Sequence, residues 1–302
     1  MINTVCGKIE NKNLGLTLMH EHIMCKDNSI PYTVGKGYLK DEVVDTMLPY
    51  LIALKNTGCK TLVDSTPPEE GRDVEVLKEL SEKSGLSIVT NIGTFYGKGV
   101  RQVIRDSSVN EIVGIWEHEF YNGIDGTDVM PGLIKIALDD GPISPLQEKI
   151  LRAAARTSLS TNLTIQCHAV YPRTVLQAER ILKEEELPLD KFIWAHIDSH
   201  IDLSTILELG NKGMWLELDS IGRKPYGEHV ELLRYLIQKD MQKRLLLSQD
   251  TGWYNVGEKN GGDIRPYHKI ITEFLPACIE AGLDSNILEE ILVNNSEKCL
   301  DL

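Results

Sequence analysis

The sequence lacks the features of a chain that is exported, membrane-bound or cross-linked. Its six cysteines are far apart and include no C-x-x-C pair, which excludes a zinc ribbon or a redox-active dithiol. No apolar run reaches the roughly 18 residues that a membrane-spanning helix needs. The first residues, MINTVCGKIENKN, contain no apolar stretch of the signal-peptide type. These absences predict a protein of the reducing cytoplasm with no membrane partner.

Positive charge is also scarce, since 32 Lys and Arg residues face 45 Asp and Glu residues, for a net charge of -13. Such a balance disfavours nucleic acid as a partner. Neither a G-x-G-x-x-G nor a Walker A motif follows the first apolar run, which disfavours a nucleotide-binding open sheet. With 42% hydrophobic residues among 302, the chain can bury a large core without metal or disulfide support. A small molecule is therefore the expected partner.

Eight short apolar runs alternate with helical patterns along the chain. Runs that are apolar at successive positions are typical of strands buried on both faces, as in a parallel sheet. Eight strand–helix units predict an α/β protein in which residues 1–302 form a single TIM (β/α)8 barrel domain, with an open doubly wound sheet as the alternative. Pro49 is expected to kink or split the helix predicted over 41–56. The runs are Leu14–Met19, Thr61–Ser65, Leu86–Ile92, Leu133–Ala137, Leu163–Cys167, Phe192–Ala195, Met214–Leu218 and Leu245–Ser248.

Residues that could bind a metal follow these predicted strands, at the end where barrel active sites lie. His20 and His22 form an H-x-H pair, and alternate side chains of a strand point to the same side. Taken singly, a strand-end histidine is typical of a hydrogen-bonded structural residue, and a strand-end aspartate is typical of a helix N-cap. Their convergence on one end of a barrel instead predicts a metal site. Its candidate ligands are His20, His22, His168, His196 and Asp250.

Lys135 lies in the apolar run LIKIA, where a charged side chain is unexpected. An ammonium group has no acceptor and cannot bind a cation, and beside buried cations it would lose its proton. A neutral amine can react with carbon dioxide to form a carbamate, which has the charge and shape of a carboxylate. As an N6-carboxylysine, Lys135 could bridge two ions as a glutamate would; the alternative is an edge-strand lysine with its ammonium in solvent.

At these residues the sequence resembles the phosphotriesterase-like branch of the binuclear-metal amidohydrolases. The resemblance covers nearly the whole chain and implies a TIM barrel of the distorted amidohydrolase type. It also implies a homodimer and two divalent metal ions, expected to be Zn2+, with Mn2+, Co2+ or Fe2+ as alternatives. The segments that carry it are LGLTLMHEHI at 14–23, GLIKIALDDGPISPLQEKILRAAAR at 132–156, IQCHA at 165–169, WAHID at 194–198 and LLLSQD at 245–250.

The resemblance assigns a role to each candidate ligand. It places carboxylated Lys135 and a hydroxide between the two ions, which lower the pKa of the bridging water. The hydroxide would attack the substrate and Asp250 would accept its proton, unless Asp250 is a ligand only. The other ligands would divide into His20 and His22, with Asp250, on the more buried metal and His168 and His196 on the more exposed one.

The resemblance implies hydrolysis of lactones, carboxylic esters or phosphotriesters, of which lactones are the expected substrates. The loops after the last two runs carry Arg223, Lys224 and Arg265, and loops at this position of a barrel often bind phosphate. They point to a phosphorylated sugar lactone, unless the charges are merely solvated. Trp253 and Tyr96, the latter matched to a family tyrosine near the exposed metal, are expected to line the pocket. The alternatives are a phosphotriesterase or aryl esterase and, outside enzymes, a non-catalytic metal- or ligand-binding barrel.

Overall fold

Parallel strands surround the centre of the molecule in the computed structural model, which describes residues 1–26, 37–97, 99–138 and 140–302. The strands of these residues are Ile2–Thr4 (β1), Gly7–Ile9 (β2), Thr17–Cys25 (β3), Thr61–Asp64 (β4), Ser87–Val89 (β5), Asn91–Thr94 (β6), Leu133–Ala137 (β7), Ile165–His168 (β8), Phe192–Ala195 (β9), Trp215–Leu218 (β10), Leu245–Leu247 (β11) and Gly252–Asn255 (β12).

The order of the strands is that of a barrel. Strands β6 to β11 form one parallel sheet in sequence order, and β12, β3, β4 and β5 form another. The sheets meet where Thr90 alone separates β5 from β6. They meet again where the chain leaves β11 and pairs with β3, and there the backbone N–H of Asp250 donates to the carbonyl of His20 at 3.0 Å. This order confirms the TIM barrel and disagrees with the open doubly wound sheet.

The first barrel strand differs from its predicted run, because β3 begins at Thr17 and continues to Cys25. A 3-10 turn over Asn11–Asn13 and Gly15, whose φ is +60°, redirect the chain before the strand begins. His20 and His22 therefore lie within the strand and not after it. The pairing of β3 with β4 shifts register between Leu18 and Glu21, directly at these histidines.

Helices follow the strands around the barrel. Pro49 does not split the first of them, because both Pro49 and Asp45, whose carbonyl loses its helical partner, are exposed to water. In the part of the chain that the structure describes, no helix is both long and apolar enough to cross a membrane. The α-helices there are Lys40–Asn56 (α1), Val74–Ser84 (α2), Gln102–Asp106 (α3), Val109–Asn122 (α4), Pro145–Thr161 (α5), Pro172–Glu184 (α6), Leu203–Asn211 (α7), Tyr226–Gln238 (α8), Leu275–Glu280 (α9), Ser285–Glu289 (α10) and Ser296–Cys299 (α11).

The two ends of the barrel differ in chemistry. An apolar cluster near the amino ends of the strands contains Leu133 of β7, Trp215 of β10 and Leu246 of β11, and Ile2 of β1 packs with them. Side chains alternate along a strand, so the position two residues further on shares the same face. On β7 that position is Lys135, which is buried. Polar side chains thus lie toward the carboxyl ends of the strands, and the apolar cluster fills the barrel at the amino ends.

Candidate metal centre

Two of the predicted ligands lie on β3 and meet a third that follows β11. The rings of His20 and His22 are 5.4 Å apart between centroids, and both residues are buried. Nε2 of His22 is 3.1 Å from Oδ1 of Asp250. One ligand atom from each of these three residues lies within 4.8 Å of the others, which is close enough for all three to bind one ion.

The other two predicted histidines come from the neighbouring strands β8 and β9. Nδ1 of His168 is 2.8 Å from Nε2 of His196, and the ring of His196 is 5.0 Å from that of His20. His196 has a φ of +68°, a backbone conformation that is rare outside glycine and often found at functional sites. The fold therefore brings all four predicted histidines to one place.

Lys135 lies at the centre of the site. It is 1% exposed, and its Nζ is 3.1 Å from Nε2 of His20 and 3.4 Å from Oε1 of Gln166. Strand β7 is flanked by β6 and β8, so the alternative of an edge-strand lysine with a solvated ammonium is wrong. Burial lowers the pKa of the Lys135 ammonium, against the opposing effect of the Glu217 and Asp219 carboxylates. Burial thus makes the neutral amine, which carbamate formation requires, more accessible than in an exposed lysine.

Asp250 occupies a turn directly after the last barrel strand, with a φ of +48°. Burial opposes its ionisation, but the hydrogen bond from His22 and the nearby imidazole of His20 bring the pKa of Asp250 well below its ordinary value. Nη2 of Arg223 donates to Oδ2 of Asp250 at 2.7 Å and to its carbonyl oxygen at 2.9 Å. One carboxylate oxygen therefore faces His22, and the other faces an arginine of the loop after β10.

A carboxylate behind the histidines orients their rings, and sequence reasoning missed it. Asp219 follows β10, and its Oδ2 is 2.7 Å from Nδ1 of His20 while its Oδ1 is 2.7 Å from Nδ1 of His196. Oε2 of Glu217 is 3.2 Å from the same nitrogen of His20. When both Nδ1 atoms carry the proton and donate it, both Nε2 atoms are free to bind a metal, as is typical of metal-binding histidines. The available signal was an acidic residue within the apolar run, Glu217, followed by a second two positions later, directly after the run.

His22 has its own orienting group. Its Nδ1 is 2.9 Å from the hydroxyl of Thr66, which lies 3.0 Å from Oδ1 of the buried Asp64. Asp64 ends β4, next to β3 in the barrel, but it is 42 residues from His22 in sequence, by 64 − 22. Each histidine of β3 is thus held by a carboxylate, directly for His20 and through a hydroxyl for His22.

Two of the predicted pocket residues lie against the histidines. The ring of Trp253 is 4.8 Å from that of His22, and its Nε1 donates to the carbonyl of Asp250 at 3.0 Å. The ring of Tyr96 is 6.2 Å from that of His168. Trp253 and Tyr96 are half-buried, so they lie where the centre meets solvent.

The three basic residues predicted to bind phosphate have different surroundings in the structure. Arg265 lines a small cleft of about 110 Å³, together with Tyr226, Gly222 and Lys269, between the loop after β10 and the segment that follows β12. Burial, followed by the nearby Arg223, lowers the pKa of the Arg265 guanidinium, which indicates two cationic groups close together. Lys224 is exposed and does not line this cleft.

The profile of the Phosphotriesterase family matches residues 1–300. The chain belongs to the phosphotriesterase family. An aryldialkylphosphatase from Saccharolobus solfataricus is 26% identical over 301 residues, with 96% of both chains aligned. The N-acetyltaurine hydrolases of Mus musculus and Homo sapiens are 25% and 24% identical over 341 residues, with 99% of this chain and 97% of theirs aligned.

Membership in the phosphotriesterase family decides between an enzyme and a non-catalytic barrel. The chain is a metal-dependent hydrolase, and the alternative of a non-catalytic barrel is not supported. The donor set of this phosphotriesterase-family hydrolase also suits metal ions, since two groups of three buried side chains place their ligand atoms within 4.8 Å of one another. Imidazole nitrogens with carboxylate oxygens fit zinc, manganese, cobalt or iron.

The double contact of Asp219 leads to a prediction for this phosphotriesterase-family hydrolase. Asp219→Asn leaves a single acceptor oxygen for two imidazole N–H groups, so either His196 loses its orienting partner or His20 keeps only Glu217. We expect metal affinity to fall about 10- to 100-fold. Titration of the purified protein with a chromophoric chelator measures this affinity, and Asp202→Asn, at the exposed N-cap of α7, is the matched control. Equal affinities for the two variants would show that Asp219 does not orient the ligands.

Proposed function

We propose that this hydrolase is a lactonase that uses two divalent metal ions and acts on a lactone with an anionic tail, such as a phosphorylated sugar lactone. His20, His22 and Asp250 would hold one ion, and His168 and His196 the other. Lys135, as N6-carboxylysine, would bridge them. The observation that carries the proposal is the convergence of all these side chains beside a cleft with a half-buried arginine.

Each residue near the metal ions would have its own role in hydrolysis. When bound, the two ions supply a lowered pKa for the attacking water and polarise the substrate carbonyl. Asp250 would accept a proton from the attacking water at Oδ2, the oxygen that faces away from His22 and toward Arg223, and would deliver it to the leaving oxygen. Trp253 packs against His22 and would shield that side of the imidazole from water. We propose zinc as the metal, since imidazole and carboxylate ligands are typical of it.

The anionic tail would bind between the last two loops. Arg265 and Lys269 line the cleft there, beside Tyr226, whose hydroxyl donates to Oε2 of Glu273 at 2.8 Å. Arg223 bonds to Asp250 on the side of the centre, so an arginine connects the cleft to the reacting group. In a chain with a net charge of -13, this local positive charge is what would attract an anion.

The relatives support a carbonyl substrate with an anionic group. N-acetyltaurine, named in two of them, is a carboxylic amide whose taurine part carries a sulfonate. We favour an ester over an amide, because an alkoxide leaves more readily than an amine that must first be protonated. We also propose a cytoplasmic location, because all six cysteines are free thiols, as is typical of a reducing compartment.

The proposal is tested with sugar lactones offered with and without a 5-phosphate. We expect kcat/KM to be about 10- to 100-fold higher for the phosphorylated forms, since a charged hydrogen bond contributes roughly 1.5–3 kcal/mol. Arg265→Ala is expected to remove this preference. Arg180→Ala, on the exposed face of α6, removes the same charge elsewhere and should leave the preference intact. Equal kcat/KM for both forms, unchanged by Arg265→Ala, would exclude the anionic tail.

A second candidate is a phosphotriesterase, which the similarity to the aryldialkylphosphatase favours. The same metal centre would serve, because it would polarise a phosphoryl oxygen as it does a carbonyl oxygen. Paraoxon-type esters in the same assay decide between the candidates. A kcat/KM for these esters above that for every lactone would select the phosphotriesterase.

A further inference from the structure

The residue between the two histidines of β3 is a buried acid with an unusual set of partners. Glu21 is 0% exposed. Its Oε1 accepts from the hydroxyl of Ser248 at 2.8 Å and from the backbone N–H of Gln249 at 3.1 Å. Its Oε2 accepts from the backbone N–H of Thr251 at 2.9 Å. Both backbone donors are immediate chain neighbours of Asp250.

The turn at Asp250 needs such support. A φ of +48° is sterically disfavoured for an aspartate, and conformations of this kind persist only where the surroundings hold them. The N–H of Asp250 itself donates to the carbonyl of His20 at 3.0 Å. Three consecutive N–H groups, from residues 249 to 251, are therefore all bound by β3. Two of them bind the Glu21 carboxylate, and the third binds the backbone next to it.

The backbone directly after the turn is packed closely against β3. Gly252 has a φ of +98°, and a Cβ at this position would collide with the carbonyl of His22 and the hydroxyl of Tyr267. The backbone is thus pressed against β3 directly after Asp250. The carboxylate of Glu21 and the close approach at Gly252 together determine where the Asp250 side chain can reach.

We propose that Glu21 is a positioning residue that holds Asp250 in register with His20 and His22. This proposal rests on the proposed function only in taking Asp250 as a metal ligand and proton acceptor. One strand then supplies two ligands from His20 and His22 and, through the residue between them, fixes the turn that presents the third. The acid in the H-x-H pair thus has a geometric role, because its two oxygens accept from the backbone N–H groups on either side of Asp250.

Glu21→Gln is the variant that tests this role. Glutamine keeps the size of the side chain but has one acceptor oxygen, so its NH2 group must face the N–H of either Gln249 or Thr251. Asp202→Asn is the matched control, because Asp202 also accepts from two backbone N–H groups, Ser204 N at 3.1 Å and Thr205 N at 3.3 Å, away from the centre.

Both variants are loaded with Co2+, whose visible absorption reports ligand geometry, and are assayed with any ester that the wild type hydrolyses. We expect Glu21→Gln to change the Co2+ spectrum and to lower kcat at least 10-fold with KM within about twofold. Asp202→Asn should match the wild-type spectrum and kcat. A wild-type spectrum and kcat in Glu21→Gln would overturn the role of Glu21.

A measurement on the wild type covers the case in which Glu21→Gln fails to fold. Hydrogen exchange of the metal-loaded enzyme should show the Thr251 amide among the slowly exchanging amides of the strands. Exchange as fast as in an exposed loop would contradict the proposal. Failure of the proposed function would look different, because the wild type would then bind no metal or hydrolyse no lactone, whatever the state of Glu21.

Discussion

Lys135→Met is expected to abolish binding of a metal pair and to lower kcat/KM at least about 10³-fold, equivalent to several kcal/mol of lost stabilisation. Two divalent cations about 4 Å apart repel by roughly 16 kcal/mol at an effective dielectric constant of 20, which is four times the repulsion of two unit charges at the same distance. A bridging anion is therefore essential. Methionine fills the volume of the lysine stem but supplies no anion. Elemental analysis of the purified variant gives the metal content, and the lactone assay gives the rate.

The matched variant is Lys135→Glu, which supplies a carboxylate directly. We expect it to retain more metal than Lys135→Met and to bind it without carbon dioxide. Wild-type apoenzyme kept free of carbon dioxide should regain activity only when metal and bicarbonate are added together. Burial lowers the pKa of Lys135, so the neutral amine that reacts with carbon dioxide is available at lower pH than in an exposed lysine. Full activity of Lys135→Met would exclude the bridging carbamate.

Asp250→Asn is expected to lower kcat about 10²- to 10⁴-fold while both metal ions remain bound. The amide oxygen of asparagine can still face an ion beside His22, but the amide cannot accept a proton from the attacking water. Initial rates on a lactone, paired with metal analysis of the same preparation, separate the two roles of Asp250. Loss of one metal together with activity would show that it acts mainly as a ligand.

Arg223→Gln is the control for the ion pair that Asp250→Asn also removes. Oδ2 of Asp250 loses its partner at 2.7 Å in either variant, but the carboxylate itself persists only in Arg223→Gln. We expect Arg223→Gln to retain most of the activity on a lactone without phosphate. A loss as large as that of Asp250→Asn would mean that the ion pair, and not proton transfer, sets the rate.

The barrel and the candidate ligands could be predicted because their signals are local. Runs such as Leu133–Ala137 are apolar at successive positions, and a strand buried on both faces needs only that pattern. His168 was placed by the end of its own run. The start of β3 was less predictable, since the turn at Gly15 and the register shift beside Leu18 depend on pairing with β4.

The orienting groups could not be predicted, because each is chosen by contacts between distant parts of the chain. Asp219 is 199 residues from His20, and the sequence gives no sign that it binds His20 and His196 at once. Glu21 was passed over for a related reason. It lies between two histidines whose side chains drew attention to one face of the strand, and its own partners are 227 to 230 residues away.

The sequence by itself determined the kinds of groups at the centre and that each lies within or shortly after an apolar run, because side-chain chemistry and the period of a strand are local properties. It also determined the scarcity of cysteine, apolar runs and positive charge that excluded other classes of protein. Only the tertiary structure decided which nitrogen of His20 faces Lys135, which loop arginine reaches Asp250 and which reaches the cleft. Those choices depend on the closure of the barrel, which brings β11 back to β3 and sets distances that no stretch of sequence contains.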